Sequence, residues 1–312
     1  MTTEAADPPE ARSAEADLRV SPLELFFDLV FVFTVTQLTD SLAHHLDGGG
    51  LARVLVMLAI IWWMYDAFIW LANAQPPATH RRRGLHLLGM ASFLVVALTI
   101  PHAFDGSGWM FGWAYLVIVV LHTGMFAVSG VPPVAVTQMG VINGIGCGLV
   151  VVGGYLAGTA QLVLWVAAFA LQFAVPYVVD LPMFRLRSEH FIERHGLVVI
   201  VAFGESVVAI GVGAGDAHLT VPLLCSALFT RALCGGLWWA YFGDDDSAVC
   251  TRFMAAQDDA RRNLLAVRLY NVAHYFLLLG VLLMAVGAKS VVAHPADVID
   301  TRQAAALAGG VA

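Results

Sequence analysis

Nine stretches of about 20 predominantly apolar residues run through this chain, near 22–42, 51–73, 84–101, 109–129, 135–157, 160–181, 196–214, 219–242 and 263–287. A stretch of that length matches the hydrocarbon thickness of a bilayer. Because lipid offers the backbone no hydrogen-bond partners, such a segment satisfies its own N–H and C=O groups by becoming a helix. The expected fold class is therefore all-α: a polytopic helical membrane protein of about nine transmembrane helices, with a tenth beginning at Ala304. Pro101, Pro132 and Pro222 fall at breaks between the runs. Composition points the same way, with 59% hydrophobic and only 12% charged residues, against roughly 25% charged in a soluble domain.

The net charge of -7 comes largely from acids in an Ala-rich tail over residues 1–18 and from Asp244, Asp245 and Asp246. The tail has no apolar core and reads as disordered; without a basic start and a cleavage site it is no secretory signal. Basic residues gather at span ends, not on one face, which argues against a nucleic-acid partner. With the N-terminus in the cytoplasm, eleven of the sixteen basic residues fall in inner segments, among them Arg81 to Arg83, Arg185, Arg187, Arg194, Arg252, Arg261 and Arg262. That bias is what the positive-inside rule expects of a multi-pass cell-membrane protein with a cytoplasmic N-terminus.

Charges inside the apolar runs carry the functional question, since each costs roughly 2.5 to 3.5 kcal/mol at a bilayer centre on insertion scales. Asp28, Asp66, Glu205 and Arg231 are of this kind. Ser21, Pro22 and Glu24 make a capping box that accounts for Glu24. Asp28 lies about 10 Å inside the helix start, too deep to cap, and a stripe at four-residue spacing leads from it through Val32 and Thr36 to Asp40. Counted from the inner ends of the spans, Asp66, Glu205, His122, Asp180, Arg268 and Asn271 also fall in the cytoplasmic half. The expectation is one buried polar layer in which Arg231 and Arg268 neutralise Asp28, Asp66 and Glu205. The competing reading makes the charges paired locks of helix register. His274, near Tyr270 and Asn271, suits a proton relay or a hydrogen-bonded packing cluster.

An internal repeat is visible. Phe27-Asp28-Leu29-Val30 and Gly204-Glu205-Ser206-Val207 each join an acid to a branched apolar run; Trp62-Trp63-Met64-Tyr65 and Trp238-Trp239-Ala240-Tyr241 follow at a similar offset, and a basic loop follows each. Six spans separate the copies. This suggests two parallel six-helix halves, as in several transporter folds, with residues 19–182 as the first half and 183–312 as a second half that stops short.

The opening Ser21-Pro22-Leu23-Glu24-Leu25-Phe26-Phe27-Asp28-Leu29-Val30-Phe31-Val32-Phe33, with Glu193-Arg194-His195-Gly196 and Gly204-Glu205-Ser206, resembles the bacterial low temperature requirement A (LtrA) family over roughly residues 19–312. The resemblance implies a multi-spanning bacterial inner-membrane protein linked to growth in the cold, in a family whose members generally run longer. It brings no substrate, reaction or cofactor, and no role for Asp28 or Glu205.

Other chemistry finds little footing. His190 to His195 has the spacing of neither H-E-x-x-H nor H-x-x-E-H, so no metal is expected there and the segment reads as amphipathic and lying at the inner surface. His44 and His45 read as solvated. Cys147, Cys225, Cys234 and Cys250 have no C-x-x-C spacing and are expected to stay free. No phosphate loop, dinucleotide fingerprint or G-x-S-x-G elbow occurs, so neither catalytic residues nor cofactors are expected. Gly144, Gly146, Gly148, Gly153 and Gly154 suit close helix packing. The leading expectation is a non-enzymatic secondary transporter or permease for a small solute or ion, with Glu205 as proton carrier, Asp28 and Asp66 as its partners, and Arg231 as the group that binds an anion or resets the acid. Membrane lipid, an unidentified solute or ion and further copies of the chain are the expected partners. The alternatives are a scaffold or sensor linked to cold growth, and a membrane enzyme acting on lipid with His122 or His274 as acid and base.

Overall fold

The computed structural model describes residues 20–130, 132–178, 186–215, 218–243 and 246–311. The tail, Asp180, Arg185, Asp244 and Asp245 lie outside these. Every regular element among the described residues is helical: α1 Pro22–His44, α2 Gly48–Ala74, α3 His80–Thr99 closed by a 3₁₀ turn Ile100–His102, α4 Gly108–Ala127, α5 Pro133–Gly154, α6 Gly158–Val178, α7 Ser188–Ala214, α8 Val221–Phe242, α9 Asp246–Ala255, α10 Asp259–Ala266, a π-helical turn Val267–Val272, α11 Ala273–Ala293 and α12 Thr301–Gly309.

Among the described residues, eight helical stretches are long and apolar enough to cross a membrane, and Gly158–Ala174 is a shorter apolar one. Each of the nine runs read from the sequence thus has its centre on a helix among the described residues. The three prolines stand where helices break: Pro101 in the 3₁₀ turn, Pro132 at the start of α5 and Pro222 in the first turn of α8. Ser21 and Glu24 form the expected capping box, and Asp300 with Gln303 forms another at the head of α12.

Helix α2 is the hub. It is the most buried span, with 78% of its apolar window covered, and it packs against α1, α4, α6, α7 and α11. Its inner face meets an aromatic cluster in which Phe31 of α1 stacks on Tyr65 at 4.3 Å and Phe27 meets Phe68 edge-on at 5.5 Å. Elsewhere large apolar side chains such as Leu94, Leu98, Trp113 and Val120 face outward, as an apolar solvent permits. In lipid, close packing rather than water exclusion holds helices together, and α4 and α5 cross where Gly108 and Gly154 leave no room for a Cβ atom. Gly146 and Gly153 likewise meet Gln172 and Trp165, whereas Gly144 and Gly148 face open space and take no part in packing.

Candidate functional site

The acids of α1 and α2 are met by bases from the first turns of α7. Arg194 Nη1 donates to Asp28 Oδ2 at 2.7 Å, the Tyr65 hydroxyl donates to the other Asp28 oxygen, and Arg194 is only 1% exposed. One turn nearer the helix start, Glu24 accepts from the Ser21 backbone N–H at 2.8 Å and turns its other oxygen to His190 Nε2 at 3.1 Å. Helix α7 is anchored at this depth by Asn73 of α2, which accepts from Arg187 N at 3.0 Å and donates to Arg187 O at 2.9 Å.

A second knot lies beside the first. Asp66 faces His195 Nε2 through Oδ1 at 2.9 Å, and its Oδ2 accepts from Asn271 Nδ2 at 2.7 Å and Trp70 Nε1 at 3.0 Å. The π-helical turn supplies Asn271: the wider helix brings its side chain to Asp66 while its carbonyl accepts from Trp62 Nε1 at 2.8 Å. Such bulges often mark functional positions. His195 Nδ1 faces the Phe191 carbonyl at 2.9 Å. Both ring nitrogens of His195 therefore face acceptors, the Phe191 carbonyl on one side and the Asp66 carboxylate on the other.

His274 meets His195 edge-on, with ring centroids 5.3 Å apart. It donates from Nδ1 to the Leu269 carbonyl at 2.9 Å and accepts at Nε2 from the Tyr241 hydroxyl at 2.8 Å. All four nitrogens of the two rings are thus engaged elsewhere. No direct hydrogen bond joins the two rings; Tyr270, the neighbour read from the sequence, stacks on His274 with centroids 5.1 Å apart.

Glu205 occupies a different level. Seventeen residues into α7, it lies about 25 Å from the helix start and meets Thr36 of α1, whose hydroxyl contacts Glu205 Oε2. It is 2% exposed. Among the described residues no Arg, Lys or His forms an ion pair with it. Farther along, Lys289 of α11 donates to Asp40 at 2.7 Å. Between the two levels, α1 contributes Phe31 and Val35 and α7 contributes Val198, Val199 and Ala202, all buried.

Three expectations change. The single polar layer becomes two levels, because α7 begins at Ser188 and not at 196, which moves Glu205 about 12 Å deeper along its helix. Arg231 and Arg268 do not neutralise the acids: both side chains are exposed, and Arg268 lies over the Tyr177 ring at 5.9 Å. The segment 190–195 is not a surface strip, since His190, Phe191, Ile192, Arg194 and His195 are buried and only Glu193 faces outward. His122 also stands apart from the acids: it is buried and donates from Nε2 to the Ala67 carbonyl at 3.1 Å. His44 and His45 are exposed. Among the described residues no group of three or more His, Cys, Asp or Glu could hold a metal ion.

A family model described as bacterial low temperature requirement A protein (LtrA) matches residues 19–312. The chain belongs to this family. It is also 28% identical over 304 residues to an uncharacterized protein of Rhizobium meliloti, in an alignment covering 92% of this chain and 73% of the relative. No solved structure matches. Membership together with the apolar helices makes this a multi-pass membrane protein. The three motifs that carried the resemblance build the two levels: Glu24 and Asp28 of the first motif with Arg194 and His195 of the second lie in the end cluster, and Glu205 of the third lies at the deeper level.

Proposed function

We propose that the protein is a non-enzymatic secondary transporter or permease for a small solute or ion, in which Glu205 takes up and releases the proton or ion. The observation that carries this reading is the contrast in partners. Asp28 and Asp66 have a cation or an imidazole at hydrogen-bond distance, whereas Glu205, equally buried, has the Thr36 hydroxyl there, and the nearest ammonium, Lys289, is paired with Asp40. An acid in a membrane interior without a fixed counter-charge is costly when ionised, so it favours a proton or a mobile cation beside it. The apolar layer between Glu205 and the paired acids supports a closed barrier on one side of that site.

The proposal includes a cell-membrane location with the N-terminus cytoplasmic. Support comes from the described basic residues Arg81 to Arg83, Arg187, Arg252, Arg261 and Arg262, which lie at the end of the bundle where α1 begins. In a variant keeping Cys250 as its one cysteine, a membrane-impermeant thiol reagent should label the protein only after cells are opened; labelling of intact cells reverses the orientation. For the activity, purified protein in proteoliposomes should carry a gradient-driven proton or ion flux that Glu205→Gln abolishes. Unchanged pH-dependent flux in that variant overturns the assignment. The ion-paired end cluster favours a second reading, a scaffold or sensor, which absence of flux under every imposed gradient would put first.

A further inference from the structure

Around Glu205 two carboxylates, its own and that of Asp40, share one ammonium, Lys289. Thr36, Thr39 and Asp40 share one face of α1 at spacings of three and four residues. The Thr36 hydroxyl bridges Glu205 Oε2 and the Val32 carbonyl. The Thr39 hydroxyl, in a side chain 1% exposed, faces the same carboxylate yet falls short of hydrogen-bond geometry with any atom among the described residues. An unmade hydroxyl bond at such depth is costly. Asp40 is taken up by Lys289, so Glu205, Asp40 and Lys289 together leave one negative charge without a fixed partner.

We propose that Glu205, Thr36 and Thr39 form a binding site for a small monovalent cation of the sodium class. The proposal deepens the transporter reading and rests on it for the ion's role as cargo or coupling ion. Carboxylate, hydroxyl and carbonyl oxygens are the ligands of hard cations, and among the described residues no thiolate or imidazole is hydrogen-bonded or ion-paired with Glu205, which argues against a transition metal. One uncompensated charge matches a monovalent ion; a divalent ion would leave an excess positive charge in the membrane interior. The orphaned Thr39 hydroxyl gains a partner when a cation sits between it and Glu205.

The test is thermal unfolding of the purified full chain in detergent at mildly alkaline pH, titrating NaCl against choline chloride at constant ionic strength. A ligand that binds only the folded state raises stability with the logarithm of its concentration, so Tm should climb by about 3 °C for each tenfold rise in Na+ above half-saturation, with choline inert. Glu205→Gln and Thr39→Val should melt as wild type does in choline and lose the Na+ response; Thr39→Ser, which keeps the hydroxyl, should retain it. Identical curves in Na+ and choline overturn the site, as does a Na+ response that survives in Glu205→Gln or an equal response to K+. Proton flux that needs Glu205 but ignores Na+ overturns the cation site and leaves the transporter standing. A Na+ response that needs Glu205 without any flux sustains the site and removes the transport role.

Discussion

Two levels of this bundle bury carboxylates equally well and treat them oppositely. At the end where α1 begins, Glu24, Asp28 and Asp66 are met by His190, Arg194 and His195, with Tyr65, Asn271, Trp70 and the backbone filling the remaining oxygen sites. At the deeper level Glu205 meets threonine hydroxyls. Desolvating a charge pair is costly, and fixed opposite charge with full hydrogen bonding offsets it; that yields rigidity, because removing either member strands the other. An acid left with hydroxyls alone keeps its charge state open to whatever enters. The first arrangement suits a lock that joins α7 to α1 and α2. The second suits a site whose occupant changes.

The contrast is most exposed at Arg194. Arg194→Met should leave Asp28 without its cation in the core and cost about 3 to 5 kcal/mol, read as a large fall in Tm and in the yield of folded protein; near-wild-type melting would show that the end cluster is no lock. Asp66→Asn comes next. It keeps the shape but places an amide against His195, and should cost about 1 to 3 kcal/mol, again by melting. Glu205→Gln should change stability by less than about 1 kcal/mol, because the amide can still accept from Thr36, while removing the function.

Smaller effects sharpen the same line. Arg231→Gln should shift stability by no more than about 0.5 kcal/mol, since the side chain is exposed, and exchanging charges through Glu205→Arg with Arg231→Glu should not rescue either single change. Rescue would mean the two residues meet in a state other than this one. Least of all should be the effect of Asp47, an exposed N-cap. Its carboxylate accepts from Gly50 N at 2.8 Å, and the backbone hydrogen bond to Gly50 holds it below the ordinary carboxylate range. Because the folded group is the stronger acid, its contribution is present at neutral pH and fades as pH falls through that lowered value; Asp47→Ala should remove this acid-side component of the melting profile with little change elsewhere.

The fold was legible because a bilayer imposes a length, and apolar runs of that length leave little choice of structure. The acids were legible for the same reason, as charges standing out of apolar runs. Their partners were not, because Ser188 to His195 is too polar to resemble a span and composition alone puts it at the surface. A signal was present: Glu24 and Asp28 stand four residues apart, and so do His190 and Arg194, so two acids on one helix face match two bases on another. The depth of Glu205 failed with the start of α7, since every residue omitted from a helix start shifts its contents by about 1.5 Å. Arg231 misled because its apolar run says nothing of which way the side chain points.

The division between lock and working acid is tested most directly by carrying Glu205→Gln and Asp66→Asn through one preparation, recording Tm in detergent and gradient-driven flux in proteoliposomes for each. The account predicts that Glu205→Gln keeps its Tm within about 2 °C of wild type and loses flux, while Asp66→Asn melts well below it. Flux that persists in Glu205→Gln, or a Glu205→Gln protein that melts as low as Asp66→Asn, would contradict it.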